Sequence, residues 1–380
     1  MWSDPSAGRS ASLAAPPSSS AQAASGPTPG TSDPGPSSSS SSGPPKKPLV
    51  KLQRFGACFA KEAVDLNELR ELLWSGVPDE ADPSVRAKAW QLMLGYLPVH
   101  VERQVTGLSK KRREYRELVK DYFERSPEMR SDNENQILRQ IRVDIPRTNP
   151  GFKFFGDAVM HGIMERTLFI WALRNPASGY VQGINDLITP FLVVFLASYL
   201  NKRDEDLHEL EISEVPSEVL EHIEADAYWC LSKMLADIQD HYTFGQPGIQ
   251  RMVLRLKEIV KRIDEALYDH LTNNGLEFLQ FSFRWMNCFL MREFPMRCVI
   301  RLWDTYIAEQ ASGFSNFHVY VCAVFLVYWA PQLKMMDFQQ MMLFMQKFPT
   351  EQWRPQQIET LLAEAYVLKS LFHSSPKHLS

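Results

Sequence analysis

This sequence predicts an all-α protein, on three observations. Apolar residues recur at helical spacing through nearly all of the chain beyond Leu52. The two-residue alternation that half-buried strands need is almost absent. Between the periodic runs stand helix-stopping pairs such as Ser75-Gly76 and Asn175-Pro176. Apolar residues fill 44% of the 380 positions and aromatic residues 11%, enough for a sizeable core.

Residues 1–48 are of a different kind. Ser, Pro and Gly occupy 30 of those 48 positions, including the run Ser37 to Ser42. Such a segment offers too little apolar surface to offset the entropy of ordering, so it is expected to be disordered. It reads as a spacer or as a phosphorylatable tail with binding partners of its own. A lead-in segment follows over 49–65.

The first helix is expected where Leu66, Leu69, Leu72 and Leu73 form one apolar face, stopped by Ser75-Gly76 and Pro78. Asp79 to Pro83 reads as an acidic turn. Its letters DEAD carry no helicase meaning, because no phosphate-binding GxxxxGK[ST] loop exists anywhere in the chain. Ser84 is the expected N-cap of the next helix, which Gly95 ends. Residues 107–140, with the basic run Lys110 to Arg113, read as a solvated surface helix. Val159, Met160, Ile163, Met164, Leu168 and Trp171 predict a helix buried along a wide face. The apolar run Leu187 to Leu200 has 14 residues, short of the ~20 a bilayer span needs, and reads as a core helix.

Residues 201–226 are acidic and expected to face solvent before the helix that carries Trp229. Leu254, Ile259, Ile263 and Leu267 suit one amphipathic helix, and Leu279 to Leu290 a strongly aromatic one. Further helices are expected over 299–307, 317–329, 338–348 and 358–372.

Composition and motifs exclude several function classes. A net charge of −4 gives no basic field for nucleic acid or an anionic membrane. The five cysteines are scattered without a CxxC pair, which argues against zinc and against a disulfide framework. His208 and His222 stand among carboxylates, but at a spacing that fits no common metal motif. Nucleophile elbows, HExxH, dinucleotide fingerprints and EF-hand loops are missing. No secretory signal or lipid-anchor motif is visible, so a soluble protein in a reducing compartment is expected.

What remains is a pair of loops. Arg147 follows Pro146 in a break between helices, and Gln182 stands beside Gly183 after Asn175-Pro176, 35 positions later. They occupy the two ends of the helix predicted from Val159 to Trp171. Arginine carries a delocalised, permanent charge suited to phosphate or carboxylate oxygens. Glutamine carries an acceptor and a donor pair that can orient a water. From the residues alone, a phosphate-directed pair competes with structural salt bridges and loop hydrogen bonds.

The run Ile141-x-x-Asp144-x-x-Arg147, followed by Tyr180-x-Gln182-Gly183, resembles the two signature motifs of the TBC-domain Rab GTPase-activating proteins. The resemblance continues through GVP and VRAKAWQLMLGYLP (76–98), FSFRWMNCFLMREFP (281–295), RLWDTY (301–306) and FHVYVCAVFLV (317–327). It spans about 66–372, leaving 373–380 as a C-terminal tail, and implies a multi-helix domain of two helical subdomains. It implies that Arg147 and Gln182 act on GTP held by a Rab-family GTPase, the arginine on the γ-phosphate and the glutamine on the hydrolytic water.

The domain then needs no cofactor or metal of its own, since GTP and Mg2+ come with the partner. Asp144 is expected to orient a neighbouring arginine, and Tyr180 to pack under the glutamine loop or to touch the GTPase, packing being favoured. Gly183 is expected to leave room for the nucleotide, and Asn185 and Asp186 to cap the next helix. Arg86, Trp90, Arg284, Trp285, Trp303 and Asp304 are expected to hold helices together. The extra acidic residues at 79–83 depart from the family's usual spacing. A cytoplasmic protein peripheral to endomembranes, the Golgi among them, is implied. Rival readings are a non-catalytic Rab-binding scaffold and a helical adaptor recruited through the Ser/Pro tail.

Overall fold

The computed structural model describes residues 47–373, and the expectations for the rest of the Ser/Pro tail and for 374–380 lie outside it. Those residues form seventeen α-helices, and among them no strand. The first three are α1 (Lys47–Phe59), α2 (Leu66–Trp74) and α3 (Pro83–Met93). Next come α4 (Gln104–Leu118), α5 (Asp132–Asp144) and α6 (Ala158–Arg174). The centre holds α7 (Ile184–Leu187), α8 (Thr189–Leu200), α9 (Ser217–Ala236) and α10 (Pro247–Ile263). Then follow α11 (Glu265–Asn273), α12 (Phe278–Cys288) and α13 (Met296–Ala308). The chain closes with α14 (His318–Tyr328), α15 (Ala330–Leu333), α16 (Phe338–Gln346) and α17 (Pro355–His373).

The described residues fall in one compact unit built on a continuous apolar core. In its amino-terminal part α3 packs on α8, α8 on α9, and α6 on α5 and α9. In its carboxy-terminal part α10 packs on α12 and α14, and α14 on α17. Helix α13 crosses between them, touching α2, α3, α8 and α17. Gln310–Tyr328 is long and apolar enough to cross a membrane, but 67% of it is buried inside the fold. All five cysteines are buried and free.

Asp304 on α13 shows why one crossing helix joins so much. Its carboxylate is fully buried and accepts hydrogen bonds from Val77 N–H (3.0 Å), Arg86 Nε (3.2 Å) and Trp90 Nε1 (2.7 Å). A buried charge is tolerated when each lone pair finds a donor, and here the donors tie the α2–α3 turn to α13. Arg284 on α12 similarly makes a two-point pair with buried Glu293, at 2.7 and 2.9 Å.

Several expectations need correction. Asp82, not Ser84, caps α3, accepting from Ser84 N–H at 2.8 Å with Pro83 opening the helix. Proline suits that first position because its missing N–H has no partner there anyway. The stretch 107–140 is not one helix: α4 runs into a π turn at Val119–Phe123, and α5 starts afresh at the capping box of Ser131 and Glu134. Nor is it all solvated, since Arg112 pairs with Asp226 at 2.8 Å.

The acidic stretch 201–226 is likewise not all solvent-facing. Asp226 meets Arg112, and Glu224 meets Arg166 at 2.6 Å, and both carboxylates are buried. The helix expected across 254–267 breaks at Asp264, whose side chain caps α11 through Leu267 N–H at 2.9 Å. Leu254 is 62% exposed, off the inward stripe, and Val159 is exposed too. The core helix from Leu187 is two, α7 and α8, with Pro190 in the first turn of α8.

Candidate functional site

Arg147 ends a short 3-10 turn, Ile145–Arg147, that follows directly on α5. Pro146 forces the change, since it has no N–H for a helix to use. The Arg147 side chain is 53% exposed, and its Nη2 donates to Asp144 Oδ1. Asp144 itself is fully buried. Its other oxygen accepts from the Tyr180 hydroxyl at 2.8 Å, and Gln140 Nε2 lies 3.3 Å away. Its backbone carbonyl accepts from Thr148 Oγ1 at 3.0 Å.

Gln182 lies in the turn between α6 and α7 with its side chain exposed and, among the described residues, free of hydrogen bonds. Its backbone is fixed instead. Gly183 takes φ +112°, a conformation that a side chain strongly disfavours. Its N–H donates to Asn185 Oδ1 at 2.9 Å, and the Gln182 carbonyl accepts from Asn287 Nδ2 of α12 at 2.8 Å.

Asn185 joins the two loops. It is buried, and its Oδ1 also accepts from the Tyr180 hydroxyl at 3.1 Å, while its Nδ2 donates to Thr148 Oγ1 at 2.9 Å. Tyr180 therefore shares one proton between Asp144 and Asn185. Burial, then its hydrogen bond to Asp144 and that carboxylate's charge, push the phenol's pKa well up, so it stays a donor. Helix α6 is about 25 Å long at 1.5 Å per residue, yet the segments before and after it double back to meet at this network.

Asp186 touches the edge of the network, with Asn185 Nδ2 3.5 Å from its Oδ1, and its other oxygen faces α12. Burial pushes its carboxyl up, while Arg292 pulls the other way through Nε at 2.9 Å. Neither Asn185 nor Asp186 caps the next helix, as the sequence suggested. Gly183 holds the cap position of α7 with no side-chain cap bond; Asn185, inside the helix, accepts from the Gly183 N–H, and Asp186 pairs with Arg292. Gly183 is also crowded from within the fold. A Cβ there would overlap Asn287 Nδ2 and lie 3.1 Å from Cys288 Sγ, so α12 alone requires a glycine at this position.

The structure brings Asp144, Arg147, Tyr180, Gln182, Gly183 and Asn185 into one site. Sequence reasoning missed Thr148, Asn287 and Arg292. A lone amide between Met286 and Cys288 in a core helix was the available signal for Asn287, though it names no partner. His208 sits elsewhere, stacked on Phe152 with ring centroids 4.1 Å apart. Among the described residues no group of three or more His, Cys, Asp or Glu could hold a metal.

Such an arrangement offers a permanent cation and a free amide to an incoming ligand, with little of its own enclosure. Comparison with known proteins points the same way. A family model described as the Rab-GTPase-TBC domain matches residues 83–334. The human protein named TBC1 domain family member 22A is 49% identical over 351 residues, covering 92% of this chain and 65% of that protein. GTPase-activating protein gyp1 of Schizosaccharomyces pombe is 46% identical over 331 residues, covering 87% of this chain and 63% of its own length. The chain thus spans just under two thirds of these curated relatives. The crystal structure of the Ypt/Rab-GAP domain of Gyp1p matches with a TM-score of 0.80 at 43% identity, over 86% of this chain and 99% of that one. On these matches, the chain belongs to the Rab-GTPase-TBC domain family.

Proposed function

We propose that this domain accelerates GTP hydrolysis on a Rab-type small GTPase by supplying Arg147 and Gln182 in trans. The observation that carries the reading is the junction of the two loops: two exposed, chemically apt side chains on backbones fixed by one buried polar network. Membership of the family, and a relative named as a GTPase-activating protein, support it. In this mechanism Arg147 leaves Asp144 to meet charge developing on the γ-phosphate, and the Gln182 amide aligns the attacking water. GTP and Mg2+ come with the GTPase. Placement at an endomembrane comes through that partner as well.

Phosphate release from a panel of purified GTP-loaded Rabs tests the reading. An arginine supplied in trans is worth about 10³–10⁵ in rate, so Arg147→Ala should nearly abolish stimulation in a domain that stays folded, with a melting temperature lowered only by the lost pair to Asp144. Arg147→Lys should rescue little, for lack of the planar fork. Gln182→Ala should also be severely impaired. An Arg147→Ala domain that stimulates as well as wild type would sink the proposal.

A further inference from the structure

The geometry points to Asn287 as the positioning residue of the glutamine loop: a helix-borne amide that sets the aim of Gln182 by tethering its backbone. This rests on the reading above and adds a residue to it.

The free Gln182 side chain takes its direction from the peptide on either side of it. That peptide is held from two directions. Asn185 holds Gly183 N–H from within the same loop, at 2.9 Å. Asn287 holds the Gln182 carbonyl from α12, 105 residues along the chain, at 2.8 Å. One contact fixes a point, and the second fixes a rotation. Without Asn287 the Gln182–Gly183 peptide can turn about the Asn185 contact and swing the side chain.

Three further observations set Asn287 apart from an ordinary buried amide. Its Nδ2 lies so close to the α-carbon of Gly183 that a β-carbon there would overlap it. Its Oδ1 is buried with no partner among the described residues. A buried acceptor left unmade costs stability, and an apolar residue would avoid that cost. What only the amide supplies here is the donor to Gln182. The Asn287 carbonyl, in turn, accepts from the Tyr242 hydroxyl at 2.9 Å, which braces the end of α12 that carries the tether.

The test compares Asn287→Ala and the packing-conserving Tyr242→Phe with wild type, each alone and on a Gln182→Ala background. Stimulated hydrolysis is followed on the Rab that responds best in the panel, with melting temperatures measured in parallel. A misplacement of about 1 Å can cost up to about 100-fold. Asn287→Ala should therefore lower kcat roughly 10-fold with KM within about twofold of wild type. Tyr242→Phe should shift kcat the same way by a smaller factor.

Both effects should vanish on the Gln182→Ala background, because a positioning residue has nothing left to aim. A merely structural role would reduce activity by the same factor on both backgrounds. That result, or an unchanged kcat, overturns the inference. A second readout needs no GTPase: hydrogen–deuterium exchange of the peptide spanning 179–186. Asn287→Ala should raise its exchange about tenfold, and unchanged exchange overturns the tether. Full activity of Gln182→Ala would instead overturn the glutamine's role in the proposed function, leaving the exchange result to judge Asn287.

Discussion

Tyr180→Phe removes one oxygen and tests the network that joins the loops. The phenol donates to Asp144 Oδ2 at 2.8 Å and to Asn185 Oδ1 at 3.1 Å. Without it, Oδ2 of a fully buried carboxylate keeps only Gln140 Nε2, at a weak 3.3 Å. Asn185 Oδ1 keeps Gly183 N–H, so most of the loss falls on Asp144. A hydrogen bond to a charged group is worth about 1.5–3 kcal/mol, which in a domain of this size lowers Tm by about 2–4 °C. The second consequence is kinetic. The Asp144–Tyr180–Asn185 bridge breaks, leaving Thr148–Asn185 as the remaining side-chain link between the loops. Stimulated GTP hydrolysis should fall roughly 10-fold, mostly in kcat, as expected for a geometric loosening. Differential scanning fluorimetry and phosphate release on one preparation measure both. A Tyr180→Phe domain melting within about 1 °C of wild type, at an undiminished kcat, would refute the view that this hydroxyl holds the site together.

Two further outcomes follow from buried groups elsewhere. Asp304→Ala strips three donors of their acceptor and leaves Arg86 uncompensated; breaking a buried pair this way costs about 3–5 kcal/mol, visible as a lower midpoint in urea. His318 gives acid lability. Burial lowers its pKa to about 3 from 6.5, so the unfolded chain takes up a proton that the fold refuses. His241, buried and pushed down to about 4, acts in the same direction. Stability is then full above pH 6.5 and falls toward pH 4, by about 1.4 kcal/mol per pH unit for each group. Urea midpoints for wild type and His318→Gln at pH 7.5 and 5 should show the steeper loss in wild type, and equal slopes would contradict the assignment.

What the sequence disclosed depended on how far apart the interacting groups lie along the chain. Periodicity is local, so the helices were readable, including the buried face around Ile163, Met164 and Leu168. Arg147 and Gln182 were readable as loop residues because proline and glycine mark the breaks beside them. Caps were less so: Asp264 divides two helices whose apolar spacing runs on across it, and only its side-chain bond to Leu267 N–H reveals the stop. Glu224 and Asp226 looked solvated because the residues around them are acidic. Their partners, Arg166 and Arg112, lie 58 and 114 residues away, and no local pattern predicts such pairs. The same distance hid Asn287, and with it a close neighbour of Gly183. The convergence of the loops was offered by the residues as one of several readings and implied by the resemblance, but no local pattern shows the flanking segments folding back along the helix between them.

The tether from α12 also bears on how the protein comes into being. Synthesis runs from the amino terminus, so both loops leave the ribosome long before residue 287. A nascent or prematurely terminated chain contains the residues of the arginine loop, the glutamine loop and the Asn185 link between them. It cannot hold the Gln182 carbonyl, because the donor has yet to be made. Competence thus arrives late, with the carboxy-terminal helices, and a fragment that keeps both signature motifs but stops before α12 lacks one of the contacts that aim them.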